Sequence, residues 1–339
     1  MNKKRWTQRP EGSTWGDWGE NDQLGRINLI GKEQIRQGAA EIRTGESFCL
    51  SLPLDYPGGN VLSAVRHPPV FQPVIRNNAP YYNYLWQEFD ARHPDIASDD
   101  AVLLYTQYST QWDSLAHRGS MFDVYGDGNQ EPVYYNGFRA HTDVILNKKN
   151  HSTQAKKLGI EHMACHGVQG RGVLVDLHSH FGDFPRHEVN YDDLMRVLEC
   201  DDIEIQSGDI LCLWTGLDKL IMQAQGEPDA SLKNACAVMD GHDPKLLKWI
   251  TDSGIAAIVS DNLAIEAVGK TFADDYCGST LPLHEHCLFK LGLPLGELWF
   301  LADLAQFLRD NNRSRFFLTA PPLRLTGAVG SPLTPIATV

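Results

Sequence analysis

Short apolar runs alternate with stretches of helical period through the second half of this chain. Gly172 to Leu177, Asp209 to Trp214 and Ile255 to Val259 read as short buried strands. Helical patterns fall between and after them, at Tyr191 to Leu198, Leu217 to Gln225, Pro244 to Ser253 and Pro282 to Gly292, and a strand-like run starts at Leu298. Such alternation predicts an α/β domain with a mixed or partly parallel sheet. Upstream, Ile30, Ile35, Ala39 and Ile42 sit close to helical spacing in a segment that runs to Thr44 and stops at Gly45. Phe48 to Pro53 and Ala101 to Tyr105 read as further strands. Positions 56 to 100 are rich in Pro, Asn and aromatic residues and read as a long surface excursion, either a lid or an oligomer contact. The Gly-, Trp- and acid-rich opening from Trp15 to Asp22 reads as an irregular, ordered arm. No linker composition appears, so residues 1–45 are expected as an arm and helix packed on one structural unit, 46–339.

Composition narrows the function classes. The chain has 339 residues, 42% of them hydrophobic and 22% charged, which is ordinary for a globular enzyme-sized domain. A formal net charge of −13 argues against nucleic acid or an anionic membrane surface as partner. No apolar run approaches a membrane span, and the basic opening Met1 to Trp6 lacks the apolar stretch of a signal peptide. Seven cysteines without CxxC pairs read as reduced thiols, so a cytoplasmic location is expected. Walker-type, Gly-x-Gly-x-x-Gly and Gly-x-Ser-x-Gly motifs are all missing from the sequence, which points away from nucleotide cofactors and serine hydrolysis.

The densest chemistry is Gln107-Tyr108-Ser109-Thr110-Gln111-Trp112-Asp113, followed by His117. If the strand at Ala101 to Tyr105 continues, alternation puts Gln107, Ser109, Gln111 and Asp113 on one face, with His117 a helical turn beyond Asp113. Read alone, most polar clusters of this kind only satisfy one another's hydrogen bonds. Trp112, with Tyr105 and Tyr108 nearby, suggests a flat or aromatic substrate, although its parity on an ideal strand is opposite to that of the site residues.

The stretch resembles the His-x-Gly-Thr-His-x-Asp-x-x-x-His signature of the cyclase, or kynurenine-formamidase-like, family of metal-dependent hydrolases. Thr110, Asp113 and His117 match, whereas Gln107, Ser109 and Gln111 replace His, Gly and His. The likeness extends from about Trp15 to Ala337. It includes Trp18-Gly19 with Asp22, Gly25, Asn28 and Leu29; Gly170 to Asp176; Gly208-Asp209-Ile210 through Trp214-Thr215-Gly216; Ser260-Asp261 with Glu266; His284 to Glu297; and Gly330-Ser331-Pro332. It implies a single α/β domain of the swivelling β/β/α, cyclase-like type, with a central mixed, partly barrel-like sheet flanked by helices. It also implies a homodimer or homotetramer acting on a small molecule.

Carried over residue by residue, the resemblance makes Asp113, Gln107 and Gln111 the metal-site positions and His117, His284 and Glu297 the catalytic ones. The implied cofactor is a divalent metal, Mn or Zn first and Mg next, which would lower the pKa of a bound water. A glutamine amide suits hard ions better than zinc. Two readings therefore stand: a metal-dependent hydrolase of a small cyclic amide, lactone or N-acyl compound, or a metal-free site. The latter would be a lyase or dehydratase using His117, Asp113, His284 and Glu297, or a non-catalytic ligand-binding homologue. Arg171 could bind a substrate carboxylate or serve a buried salt bridge. His286 reads as a surface histidine. His162 and His166, with His178, His180 and His187, read as loop histidines, because Gly167 should break the helix a metal pair would need.

Overall fold

The computed structural model describes residues 4–269 and 276–339. Nine strands form the central sheet: β1 (Ser47–Cys49), β2 (Gln111–Asp113), β3 (Gln169–Asp176), β4 (Ile210–Trp214), β5 (Ala257–Ser260), β6 (Leu295–Glu297), β7 (Arg315–Thr319), β8 (Gly330–Pro332) and β9 (Ile336–Thr338). Their spatial order is β1-β9-β7-β3-β4-β5-β6-β2-β8, and the sheet curls into a half-barrel flanked by helices. The run β3-β4-β5-β6 is parallel, while β2, β7, β8 and β9 join antiparallel at the two sides. This is the mixed, partly barrel-like sheet expected from the sequence.

Core lies on both faces, which explains why the parallel strands read as continuous apolar runs rather than alternating ones. In β4, Leu211 and Leu213 join one core cluster while Ile210, Cys212 and Trp214 join the other. The crossover helices show ordinary start and stop chemistry. Asn190 caps Tyr191–Cys200 through Asp193 N, and Asp243 caps Pro244–Ser253, which places Pro244 in its first turn and ends at left-handed Gly254. The guanidinium of buried Arg26 donates to the carbonyls of Ile250, Thr251 and Ile255, neutralising that helix's C-terminal end.

The N-terminal arm clamps the helix that follows β5. This helix starts as an α-turn at Pro282–His284 and continues as a π-helix over Glu285–Leu291. Fully buried Trp15 donates its indole N–H to Phe289 O at 2.7 Å, and Thr14 Oγ1 donates to Leu291 O at 2.7 Å. At Gly25 (φ +57°) a Cβ would stand 2.0 Å from Gly292 O, so only glycine permits the approach that lets Arg26 N reach the same carbonyl at 2.8 Å.

Several elements differ from the sequence expectation. The segment Ala101 to Tyr105 does not lead into the site strand. Its extended part, Asp100–Leu103, pairs with Val70–Pro73 in an exposed ribbon, and residues 104–110 then turn before β2 begins. The turn is held by side chains reaching neighbouring loops. Tyr108 OH accepts from Gly58 N and donates to Gly59 O, and Ser109 Oγ donates to Pro53 O. Thr110 Oγ1 accepts from Leu52 N and donates to Leu298 O. The strand expected from Leu298 instead lies just before it, because Leu298 adopts φ +55° and ends β6. The first helix covers only Lys32–Ala39, and the Phe48 strand only Ser47–Cys49. The excursion is built from small ribbons, with Ile75–Arg76 paired to Ala79–Pro80 and Tyr84–Leu85 to Ile96–Ala97. Among the described residues, no helix is long and apolar enough to cross a membrane.

Because Trp15 fills the core and bonds the site helix, Trp15→Ala should lower unfolding stability by about 3–5 kcal/mol, as large-to-small core changes do. Denaturant unfolding would read this directly, and a loss under about 1 kcal/mol would mean the arm is not coupled to the core.

Candidate active site

Strand β2 is the floor of the site. It lies between β6 and β8, with Gln111 opposite Glu297 and Asp113 opposite Leu295 and Gly330. Alternation sends Gln111 and Asp113 to one face and Trp112 to the other. Gln111 Nε2 donates to Glu297 Oε2 at 2.6 Å. Gln107 arrives from the turn rather than the strand, yet its amide nitrogen still meets Asp113 Oδ1 and lies 2.9 Å from His117 Nδ1. Gly330 makes this possible, since a Cβ there would stand 2.7 Å from Gln107 Cγ. With the amide donating, His117 Nδ1 is the acceptor and its proton sits on Nε2, 3.6 Å from Asp113 Oδ2.

His284 closes the cluster from the helix side. Buried Glu266 accepts from Leu283 N at 3.0 Å, from His284 N at 2.8 Å and from His284 Nδ1 at 2.8 Å. That fork turns His284 Nε2 toward Glu297 Oε1 at 3.1 Å and Asp113 Oδ2 at 4.0 Å. Burial alone would lower the His284 pKa, but hydrogen bonds and charge from Glu266 and Glu297 outweigh it and raise it to about 10. Glu297 is pushed up by burial and then by the Asp113 charge, with His284 and the Arg66 charge pulling the other way.

Asp113, His284 and Glu297 each offer a ligand atom within 4.8 Å of the others, the one such group of three among the described residues. Asp113 Oδ2 and Gln111 Oε1 are buried without a hydrogen-bond partner. Buried Glu266 and Glu297 both contact the His284 ring, and buried Asp113 lies between His284 and His117. Orphaned oxygens and an oxygen-rich donor set both fit a hard divalent cation. His117, with its side chain 23% exposed, is the member of this set nearest solvent, while Asp113, His284 and Glu297 are 0–2% exposed.

The structure brings His284 and Glu297, expected as catalytic, together with Asp113, and turns the amide nitrogens of Gln107 and Gln111 onto carboxylates. Trp112 and Arg171, expected at the substrate, are committed elsewhere. Trp112 is fully buried edge-on against Trp299 and donates to Ala320 O. Arg171 spends its fork on Asp209, with both residues buried, which is the structural salt bridge.

The His162–His166 helix does form, as Glu161–His166, but His166 is exposed and its Nδ1 lies by Gly167 O. His178, His180 and His187 pair with Asp183, Asp201 and Asp193. His286 is not a surface residue. It is buried beside Thr251 Oγ1 at 2.9 Å, and burial, then Lys290 and Arg26, lower its pKa to about 4.

Glu266, which orients His284, is the residue bordering the cluster that the sequence did not single out. It appeared only as the last residue of the Ser260-Asp261 motif, with no spacing to His284 that a pattern could have flagged. Asp261 itself is structural: its carboxylate accepts from Thr215 N, Thr215 Oγ1 and Gly216 N.

The comparisons with known proteins follow this geometry. The family model described as Putative cyclase matches residues 50–267. The solved structure of a novel cyclase is 31% identical, with 96% of this chain and 97% of that one covered and a TM-score of 0.75. Two structures of isatin hydrolase A share the fold at lower identity. The Labrenzia aggregata protein, bound to benzyl benzoate, has 12% identity and a TM-score of 0.56 over 91% of this chain and 98% of its own. The Ralstonia solanacearum protein has 14% identity and a TM-score of 0.55 over 89% and 95%. A search of curated proteins gave no match. Both the matched span and the identity to the solved cyclase place this chain in the cyclase family.

Proposed function

We propose that the protein is a hydrolase that opens a C–N or ester bond in a small cyclic amide, lactone or N-acyl compound. The observation that carries this reading is the buried oxygen Asp113 Oδ2, left without a hydrogen-bond partner between His284 and His117. A divalent cation held by Asp113, His284 and Glu297 would supply hydroxide near neutral pH and polarise the scissile carbonyl. Glu266 holds the His284 tautomer that presents Nε2 to the cluster. His117, steadied at Nδ1 by Gln107, carries a proton at Nε2 that it can give to the departing nitrogen or oxygen. The fold shared with isatin hydrolases makes isatin the first substrate to try.

A metal-free acid–base site has one observation in its favour, the complete pairing of His284 between Glu266 and Glu297. That arrangement still leaves Asp113 Oδ2 and Gln111 Oε1 unpartnered, which costs roughly 1–3 kcal/mol per group. The hydrolase reading is therefore the stronger.

Elemental analysis of protein purified without a histidine tag should find about one equivalent of a divalent metal, and Asp113→Asn should lose it. A metal-free wild type whose hydrolysis of isatin, cyclic amides and lactones survives chelator would sink the metal reading. His117→Ala should lower kcat by roughly 100-fold or more while metal content stays unchanged; full activity would remove His117 from the mechanism. Restoring imidazoles in the Gln107→His/Gln111→His double variant should raise zinc affinity, measured calorimetrically, because nitrogen donors suit zinc better than amides. No gain would mean the two glutamines do not border the metal position.

A further inference from the structure

A cleft of about 760 Å³ opens at the carboxyl end of β3, with β4 and β5 lying between it and the acidic cluster in the sheet order. It sits where the chain's connections part. The helix Tyr191–Cys200, which leads from β3 to β4, packs Leu194 and Val197 into one core cluster. The helix Ala302–Asp310, which leads into β7, packs Leu304, Ala305 and Leu308 into the other. The two helices therefore cover opposite faces of the sheet, although β3 and β7 are neighbours in it. A crevice outside strand ends, where connections leave on opposite faces, is where open α/β sheets receive ligands.

The charges in this cleft balance in number but gather in different places. Arg43, Arg309, Arg313 and Arg315 line it, and so do Glu41, Asp176, Asp201 and Asp202. Arg309 and Asp176 pair with each other. Arg43 and Arg313 share one Glu41 oxygen at 3.8 and 3.9 Å, beyond ordinary hydrogen-bond length. Arg313 Nη2 donates to Glu41 O at 2.6 Å and to Arg315 O at 3.2 Å, so three arginines collect beside a single carboxylate. The Arg313 side chain is 10% exposed, and burial, then the Arg43 charge, lowers its pKa, with Glu41 pulling the other way. An anion seated there would oppose both effects. Asp201 and Asp202 stand on a different element, just past the carbonyl end of Tyr191–Cys200, whose last turn has no basic residue to offset its partial negative charge.

We infer that this cleft is a second binding site, for a small zwitterion whose carboxylate and ammonium are separated by a short chain. The carboxylate meets the Arg43, Arg313 and Arg315 group, whose planar guanidiniums suit it. The ammonium meets Asp201, Asp202 and the helix end, and the chain between lies on Leu174, Ile203 and Leu308. Charge balance decides the ligand class. A simple anion would also face the carboxylates and a simple cation the arginines, whereas a ligand carrying both charges answers both sets. The inference does not draw on the hydrolase reading. The competing account is a solvated lattice of surface ion pairs, each worth little, with no ligand preference.

Calorimetric titration of the full-length protein with δ-aminovalerate and ε-aminocaproate, against caproate, hexylamine and glycine, separates the two accounts. The two zwitterions should bind at millimolar concentration or tighter. Caproate and hexylamine each lack one charge, and glycine holds its charges adjacent, so all three should bind roughly tenfold or more weakly. Arg313→Gln and Asp202→Asn should each weaken zwitterion binding by a similar factor, while Asp113→Asn should leave it unchanged. The absence of zwitterion binding at millimolar concentration overturns the inference. So does equal binding of caproate, hexylamine or glycine, or unchanged affinity in either cleft variant. Loss of binding in Asp113→Asn would overturn it too, by moving the ligand to the acidic cluster. Should Arg313→Gln fail to fold, Arg43→Gln at an exposed position takes its place.

Discussion

Burying a carboxylate beside other carboxylates is the constraint on which this structure turns. Glu266 is 2% exposed, and its two oxygens are spent on Leu283 N, His284 N and His284 Nδ1. That arrangement accomplishes two things. It satisfies backbone donors at the start of a helix, which need acceptors in any case, and it leaves a single ring nitrogen of His284 to face Asp113 and Glu297. The orientation of His284 therefore follows from one side chain that lies outside the cluster, and its raised pKa from that side chain together with Glu297. The arm extends the same constraint, since Trp15 and Gly25 hold the far end of the helix whose first turn carries His284.

The family motifs divide along this line. Some are chemistry, but many are staples between strand ends and the loops that follow. Asp261 at the end of β5 holds the Thr215-Gly216 turn, Asp218 accepts from Leu301 N and Ala302 N, and Arg171 grips Asp209 across β3 and β4. Asp218 and Asp261 are both buried, and both carboxyls are held above their usual range, chiefly by burial and, for Asp261, also by the charge of its neighbour. Two close carboxyls tolerated in the core reflect how many backbone donors they satisfy. The Asp261 and Asp218 staples fix the strand ends on the side of the sheet where Glu297 ends β6, which is where a parallel sheet collects its functional groups, whereas Arg171–Asp209 ties the opposite ends of β3 and β4.

What could be read from the sequence follows from how local each signal is. The parallel strands and the helices Tyr191–Cys200 and Pro244–Ser253 were legible because periodicity and capping are written within a dozen residues. Asp113 and Gln111 on one strand face were legible for the same reason. The approach to them was not. Alternation carried back from Asp113 through Gln107 assumes an unbroken strand, and the break comes from Tyr108, Ser109 and Thr110 bonding residues 52–59 and Leu298, contacts far away in sequence. Gln107 still reaches Asp113, but through a turn and over Gly330 rather than along a pleat. His286 shows the opposite failure: a histidine in a helix looks like surface until the π-helical turns place it inside. Glu266 and His284 are 18 residues apart, so their pairing is a property of the fold alone.

The exchange of two imidazoles for amides acquires a physical meaning in this setting. An imidazole at position 111 could not both donate to Glu297 and keep an oxygen free, whereas Gln111 does so with its Nε2 on Glu297 and its Oε1 unpartnered. An imidazole at position 107 has no second N–H on the same atom with which to serve Asp113 and His117 together, as the Gln107 amide does. The glutamines thus act as hydrogen-bond distributors that hold carboxylates in place, and the imidazole beside those carboxylates comes from His284 on another element. The result is a cluster dominated by oxygen atoms. Such a donor set suits a hard cation better than one bound by soft donors, so on the proposed reading the two amides would change the preferred cation without dismantling the place where it would sit.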